Sequence, residues 1–225
     1  MSDSTAALAA TRTIAATTHG RYLIAAPPSS SPAPLLVGFH GYAESAEAQL
    51  ERMQAIPGSQ DWLLASVQAL HPFYRGRSED VVAGWMTRQD RDLAIEDNVA
   101  YVNAVVEALA REWRLSSTLA FAGFSQGVAM AFRAAASSAR AVSGVVACGG
   151  DVPPELGPAA LARVRAVIAG RGLRDNWYTG EKAAADARRL EDAGVRFTAV
   201  EYDGAHEWSA PFATAAGAFL AECRS

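Results

Sequence analysis

The chain has little of what marks several large classes of protein. It contains only two cysteines among 225 residues, Cys148 and Cys223. They stand far apart and fit no metal-binding spacing, which indicates free thiols in a reducing compartment. No apolar run approaches the roughly 20 residues that cross a bilayer. The N-terminus lacks a basic stretch, and residues 6–10 are too short for the apolar core of a signal peptide. We therefore expect a cytoplasmic protein without membrane insertion.

Positive charge is also scarce. The 20 lysines and arginines are outnumbered by 24 acidic residues, which gives a net charge of −4. Without a dense basic run, the chain is not suited to binding a phosphate backbone, so we expect no nucleic-acid partner. Half of the residues are hydrophobic, as in ordinary globular proteins. The length suits one α/β domain with a large core. We predict a single domain over residues 1–225, with a loose tail over residues 1–10.

Short apolar runs alternate with helical patterns over most of the chain. Strands are predicted at 35–39, 62–67, 118–122, 142–147, 164–169 and 195–202. Helices are predicted at 45–56, from Asp92 onward, from the residues after 125 to about 139, at 181–193 and at 211–223. Such alternation predicts an α/β fold, with a mostly parallel sheet covered by helices on both faces. In such sheets the chemistry lies beyond the carboxyl ends of the strands.

Three local expectations complete this outline. Residues 13–17 and 21–25 are strand-like runs around a glycine, which suggests an antiparallel hairpin. Residues 68–89 look like a long irregular loop, and such loops are often functional. Asp92 is placed to N-cap the long helix. Apolar residues at helical spacing then predict its buried side, which consists of Leu93, Val99, Val102, Val106 and Leu109.

The most informative stretch is Gly123-Phe124-Ser125-Gln126-Gly127. It follows a predicted strand and leads into a predicted helix, so Ser125 lies on a sharp and strained turn that exposes its hydroxyl. A Cβ at position 123 or 127 would collide where strand and helix cross. The backbone N–H of Gln126 then lies at a helix N-terminus, where it can stabilise an oxyanion. We predict that Ser125 is a nucleophile; the alternative is a turn that matches the pattern by chance.

A serine nucleophile needs a base. His206 directly follows the last predicted strand, so its loop can fold back over the end of the sheet toward Ser125. The alternative is a loop histidine that bonds only locally. His19, on the expected hairpin, and His71, in the long loop, are weaker candidates for the base.

A triad also needs a carboxylate to orient the imidazole. Asp175, which follows the strand ending at residue 169, is the first choice, and its alternative role is to N-cap the next helix. Asp151 is the runner-up, and Asp203 is expected to shape the turn before the base. The order Ser125, Asp175, His206 is that of α/β-hydrolases rather than of other serine-triad folds.

A second oxyanion donor is expected in the loop after the first buried strand. Gly41 permits a tight turn there, so the Tyr42 N–H can point to the site beside that of Gln126. His40 is expected to brace this loop by hydrogen bonds rather than to transfer protons.

A group of mostly aromatic side chains is the candidate lining of an acyl pocket. Ordinary core packing explains the same residues equally well, so both interpretations stay open. The group comprises Phe73, Tyr74, Trp85, Met86 and Trp208.

These motifs resemble the acyl-protein thioesterase and carboxylesterase/lysophospholipase family, within the phospholipase/carboxylesterase group of α/β-hydrolases. Residues 123–130 are similar to that family's G-F-S-Q-G-G-A-M elbow, with Val128 in place of the second of the paired glycines. His40-Gly41 resembles its oxyanion loop, and Trp85 its W-F-D position, although Met86-Thr87 departs there. Asp175 matches its G-x-x-D acid and His206 its G-x-H base.

The resemblance implies a serine hydrolase that needs no metal or other cofactor and acts on a small-molecule ester or thioester. We expect cleavage of short- to medium-chain acyl esters. The alternatives are a thioesterase or lysophospholipase with long-chain preference, a peptidase or acyltransferase, and a non-catalytic binding protein of the same fold. The sequence leaves open whether the protein forms a homodimer.

Overall fold

The computed structural model of the chain describes residues 10–29 and 31–224. Seven strands form one sheet in the order β1-β3-β2-β6-β7-β8-β9, and β4 and β5 form a separate two-stranded sheet. The strands are β1 Tyr22–Ala25, β2 Ala33–Phe39, β3 Leu63–Val67, β4 His71–Tyr74, β5 Val81–Gly84, β6 Leu115–Phe124, β7 Gly144–Cys148, β8 Ala166–Gly172 and β9 Arg196–Tyr202. The helices are α1 Ala46–Gln54, α2 Arg91–Glu112, α3 Gln126–Ser137, α4 Pro158–Leu161, α5 Gly180–Asp192 and α6 Ala210–Cys223, with a 3₁₀ turn at Ser59–Asp61.

The large sheet is parallel except at its β1 edge. β1 pairs antiparallel with β3, while every other neighbouring pair runs parallel. In the register of the central strands, Phe39 of β2 lies opposite Gly123 of β6, which in turn lies opposite Ala147 of β7. The carboxyl ends of these three strands are therefore level, and the loops that follow them meet at one edge of the sheet.

The core lies on both faces of this sheet. All seven residues of β2 are buried, but they alternate between faces: Leu35, Val37 and Phe39 pack with α2 and α3, whereas Leu36 packs with α1 and α6. A strand buried on both faces reads as a continuous apolar run, which is why this strand was recognisable in the sequence. The predicted parallel sheet with helices on both faces is confirmed.

Three local predictions are wrong. Residues 13–17 form neither helix nor strand, because the partner of β1 is β3 and not a preceding run. The stretch 68–89 is not irregular throughout, since β4 and β5 pair antiparallel within it. The N-cap of α2 is Asp90 rather than Asp92, and Leu93 is 44% exposed, although Val102, Val106 and Leu109 are buried as predicted.

The remaining expectations on organisation are only partly covered by the structure. The predicted tail over residues 1–10 lies, except for its last residue, outside the described residues. Both cysteines are free. None of the described helices combines the length and apolarity needed to cross a membrane.

Candidate active site

Ser125 lies on a strained turn between β6 and α3. Its φ is +52° with ψ −120°, a conformation that non-glycine residues rarely adopt. The crossing is tight, because a Cβ on Gly127 would lie 2.1 Å from the Phe39 carbonyl oxygen and one on Gly123 would lie 2.4 Å from the Gly127 carbonyl oxygen. The Ser125 N–H donates to the Cys148 carbonyl oxygen at 2.9 Å, which fixes the turn against β7. The strand, strained serine and helix are arranged as the sequence predicts.

His206 and Asp175 meet at the same edge of the sheet. Asp175 follows β8 and His206 follows β9, and His206 Nδ1 lies 2.7 Å from Asp175 Oδ2. The other carboxylate oxygen accepts hydrogen bonds from the N–H groups of Trp177 at 2.8 Å and Tyr178 at 2.9 Å. With Nδ1 protonated toward the carboxylate, Nε2 of the imidazole is left as a proton acceptor.

The Asp175 carboxylate is buried yet stays ionised. Burial acts to raise its pKa, but the hydrogen bonds from His206 and from the two backbone N–H groups outweigh that effect and hold the pKa below its ordinary value. Its alternative role as the N-cap of α5 is not observed, because Thr179 occupies that position. Asp175 instead stabilises the turn that precedes the helix while it contacts the histidine.

The His206 ring lies beside the turn that carries Ser125. Its centroid is 5.1 Å from that of Phe124, the residue before the serine. A Cβ on Gly149 would approach His206 Cε1 to 3.1 Å, so the loop after β7 also packs close to the ring. The Ser125 hydroxyl has no hydrogen bond within residues 10–29 and 31–224. Catalytic hydrogen bonds are often loose before substrate binds.

The other candidate acids and bases lie elsewhere. Asp151 reaches the cleft beside Ser125, but its carboxylate faces Lys182 Nζ at 3.3 Å. Asp203 forms an ion pair with Arg174 on the surface. His19 and His71 are exposed. Among the described residues, Asp175 and His206 are therefore the one pair of these candidates in which a histidine contacts a carboxylate.

His40 braces the loop after β2, as the sequence suggests. It is completely buried; its Nδ1 lies 2.7 Å from the Gly41 carbonyl oxygen, and its Nε2 accepts from the Ala69 N–H at 3.1 Å. Burial lowers the pKa of His40, despite its bond to the carbonyl. A neutral ring that donates from Nδ1 and accepts at Nε2 satisfies both contacts.

Glu44 completes this brace, and sequence reasoning missed it. Its Oε2 accepts from the Gly41 N–H at 2.7 Å and from Arg52 at 2.7 Å. The Gly41 N–H is thereby occupied, whereas the Tyr42 N–H donates to no atom of the described chain. Nothing in the sequence signals this role, because a glutamate before a helix is ordinarily a surface residue.

The side chain of Gln126 has a second function that the sequence did not suggest. Its Oε1 accepts from the Trp85 N–H at 2.8 Å, and its Nε2 donates to the Met86 carbonyl oxygen at 3.1 Å. The indole of Trp85 in turn donates to the His40 carbonyl oxygen at 2.8 Å. The segment after β5 is therefore fastened both to the serine turn and to the oxyanion loop.

A cleft of about 430 Å³ opens from Ser125 along α3. Most of its wall surface is apolar, but four charged side chains also line it, and Trp177, 64% exposed, stands at the rim. Lining residues that the sequence did not single out include Arg88, Arg91, Ala129, Arg133, Pro153 and Trp177. No sequence motif points to them, because they come from four segments that only the fold brings together.

Of the side chains predicted to line an acyl pocket, Met86 reaches this cleft and the others do not. Trp85 is 1% exposed and packs on Phe39, so it belongs to the core. Trp208 packs edge-on against Phe212. Phe73 lies against the ring of Tyr42 at 5.6 Å, and Tyr74 is 67% exposed. Core or surface packing, the alternative open from the sequence, describes these four positions.

Within the described part of the chain, no cluster of three or more His, Cys, Asp or Glu side chains is arranged to hold a metal ion.

Comparison with known proteins identifies the family of this chain. The sequence model of the phospholipase/carboxylesterase family matches residues 22–223. The chain belongs to the phospholipase/carboxylesterase family. Its fold is the α/β-hydrolase fold, and the protein is a hydrolase of that type. At the level of sequence, no curated protein matches it significantly.

Solved structures share the fold of this family member at low sequence identity. The structure of esterase PE8 is 20% identical, with a TM-score of 0.73 over 92% of this chain and 100% of that chain. The Bacillus cereus carboxylesterase is 16% identical, with a TM-score of 0.69 over 91% of this chain and 94% of that chain. A phospholipase/carboxylesterase from Dyadobacter fermentans DSM 18053 is 19% identical, with a TM-score of 0.69 over 92% of this chain and 99% of that chain.

Proposed function

We propose that this protein hydrolyses carboxylic esters with short- to medium-length acyl chains, using Ser125, His206 and Asp175 as a catalytic triad. The observation that carries the proposal is the 2.7 Å contact between His206 Nδ1 and the buried Asp175 carboxylate, beside a serine held at positive φ. A base oriented by a carboxylate next to a strained serine is the arrangement that activates a hydroxyl for acyl transfer.

The reaction proceeds in two halves. His206 Nε2 takes the proton of the Ser125 hydroxyl as its oxygen attacks the ester carbonyl carbon. The backbone N–H groups of Tyr42 and Gln126 donate to the oxyanion of the tetrahedral intermediate, each contributing about 3 kcal/mol to the transition state. The imidazolium then protonates the leaving alcohol as the C–O bond breaks. A water molecule, deprotonated by His206, attacks the acyl-serine and releases the acid.

The character of the cleft supports the shorter chain lengths. A long acyl chain would have to lie against apolar walls to gain free energy from burial. Three arginines and Asp151 line the cleft, and desolvating these charges against methylenes would cost free energy. A thioesterase or lysophospholipase with long-chain preference remains the alternative, and a series of acyl esters and thioesters of graded length separates the two.

The direct test is Ser125→Ala. We expect kcat/KM for p-nitrophenyl acetate and butyrate to fall by about 10⁴-fold or more, and a fluorophosphonate probe to label Ser125 in the wild type alone. Ser78→Ala, on the exposed turn between β4 and β5, is the matched control. Turnover by folded Ser125→Ala at the wild-type rate would refute the proposal, and failure of the probe to label the wild type would favour a binding protein.

A further inference from the structure

The floor of the cleft is one face of α3. Gln126, Ala129 and Arg133 all line it, and their spacing of three and four residues places them on the same side of the helix. At a rise of about 1.5 Å per residue, Arg133 lies about 10 Å along the axis from Gln126. The small side chain of Ala129 leaves the intervening space open. The cleft therefore runs from the serine at one end to a guanidinium at the other.

Arg133 is buried but incompletely paired. Its side chain is 3% exposed, and its Nε and Nη2 both contact Glu155 Oε1, at 2.7 and 2.6 Å. Its Nη1 reaches only the sulfur of Met86, at 3.5 Å. A thioether is a weak acceptor, so this lining residue carries one charged donor group that is buried without an oxygen partner among the described residues. Leaving such a donor unsatisfied is costly, and this points to a ligand that supplies an oxygen.

Positive charge exceeds negative charge around this donor. Arg91 approaches Glu155 at 3.5 Å, so two guanidinium groups share that one carboxylate, and Arg91 also lies 3.7 Å from the exposed Asp92. Arg88 lines the same cleft and has no ion pair among the described residues. Asp151 also lines the cleft; its Oδ2 pairs with Lys182, and its Oδ1 is buried without a hydrogen bond among the described residues. The chain as a whole has a net charge of −4, so this region is positively charged within a negatively charged protein. Such a local excess of positive charge would attract an anion.

The position of His206 decides which part of an ester enters the cleft. In the proposed reaction His206 protonates the leaving oxygen, so the leaving alcohol must lie on the His206 side of Ser125. The cleft along α3 is not lined by His206. The acyl part of the ester is therefore the part that extends toward Arg133.

We propose that the preferred substrate is an ester whose acyl chain ends in a carboxylate, that is, a half-ester of a dicarboxylic acid. This inference rests on the proposed esterase function. The terminal carboxylate accepts from Arg133 Nη1 and is further attracted by Arg88, while Glu155 holds the Arg133 guanidinium in place. An extended chain of six to eight carbons, with C–C bonds of about 1.5 Å, spans roughly 6 to 9 Å, which fits the distance along α3.

The test compares esters that share a leaving group. The mono-p-nitrophenyl esters of adipate and suberate are each paired with the same compound methylated at its free carboxylate. The measured quantity is the ratio of kcat/KM for the anionic ester to kcat/KM for the methylated ester. Because both values depend equally on the fraction of folded enzyme in a preparation, that fraction cancels from the ratio. We expect a ratio of about ten or more in the wild type, as for a charge-assisted hydrogen bond in a partly enclosed site.

Two variants locate the effect. Arg88→Gln and Arg133→Lys are each expected to lower the ratio by about ten-fold, the latter because lysine keeps the charge but lacks the planar fork. Arg111→Gln is the matched control: it removes an exposed arginine near the end of α2 that precedes β6, at the opposite edge of the sheet.

The outcomes separate this inference from the proposed function. If the methylated esters are cleaved in a Ser125-dependent way but the wild-type ratio is one or below, the esterase stands and the carboxylate preference is wrong. If Arg88→Gln and Arg133→Lys both leave the ratio unchanged, the site assigned to the carboxylate is wrong. A preference that appears only when the carboxylate is on the leaving phenol, tested with 3-carboxy-4-nitrophenyl esters, overturns the acyl assignment. Loss of Ser125 dependence would instead refute the proposed function.

Discussion

Replacing Asp175 by asparagine separates two roles of this residue: it changes how the base His206 is oriented, but it keeps the hydrogen bonds that stabilise the loop. In the wild type, one carboxylate oxygen accepts from two backbone N–H groups and the other accepts from His206 Nδ1. The asparagine carbonyl oxygen can keep the backbone bonds. Its NH₂ group then faces His206 and must donate to Nδ1, which forces the ring proton onto Nε2. The imidazole is held in place but can no longer take a proton from Ser125.

The size of the effect follows from this change of tautomer. In serine proteases, asparagine in place of the triad aspartate lowers kcat by about 10⁴-fold with the geometry intact. We expect a loss of the same order here, which corresponds to about 5.5 kcal/mol of transition-state stabilisation. The loss of global stability is expected to be far smaller, about 1–2 kcal/mol, because only the charge-assisted part of the three hydrogen bonds is lost.

The assay is p-nitrophenyl butyrate hydrolysis for Asp175→Asn beside Asp151→Asn, with urea unfolding of both. Asp151 is the matched control, because it lies near the same site and its ion pair with Lys182 is partly exposed. Such a pair contributes about 0–1 kcal/mol, so Asp151→Asn should retain activity within a few-fold. Full activity of Asp175→Asn together with collapse of Asp151→Asn would move the orienting role to Asp151 and refute the reasoning.

Two further predictions concern contacts around the site. Gln126→Leu removes both hydrogen bonds to the segment after β5, so we expect about 2 kcal/mol less stability in urea unfolding and a lower kcat/KM, while fluorophosphonate labelling of Ser125 persists because the backbone N–H of residue 126 remains. Unchanged stability would contradict this role. The lowered pKa of Asp175 means that its carboxylate stabilises the fold fully above the ordinary carboxyl pKa near 4, and that this contribution disappears as the pH falls through its folded-state pKa. The difference in unfolding free energy between wild type and Asp175→Asn should therefore narrow between pH 7 and pH 3, and a constant difference would exclude this linkage.

What the sequence predicted well is what depends on local chemistry. The turn at Ser125 needs glycines at fixed offsets, because the strand and the helix cross within contact distance of their backbones. The buried strands appear as apolar runs because both faces of the sheet are covered. The loops that carry Asp175 and His206 follow adjacent strands, β8 and β9, and parallel strands bring their carboxyl ends to one edge. A short window of sequence contains each of these signals.

What the sequence did not predict depends on partners distant along the chain. The Gln126 side chain, for example, bonds to Trp85 and Met86, which precede it by 41 and 40 positions. The aromatic residues after β3 and β9 pack in the core or lie on the surface, since an apolar side chain gains as much free energy from the core as from a pocket. Only the fold decides between the two environments, so composition alone left both interpretations open.

The stretch 68–89 illustrates where specificity is located. The sequence predicts an irregular substrate loop over the whole stretch. In the structure, however, β4 and β5 form a small sheet within it, and the residues of these two strands do not line the cleft. Its last residues, Met86 to Arg88, form a wall of the cleft, and Gln126 fixes the start of that wall from the turn that carries Ser125. A substitution that shifts this wall therefore alters the position of Arg88 and the geometry of residue 126 together. Chain-length preference and catalytic rate should consequently change together for mutations in this segment, whereas mutation of the exposed Tyr74 in β4 should affect neither.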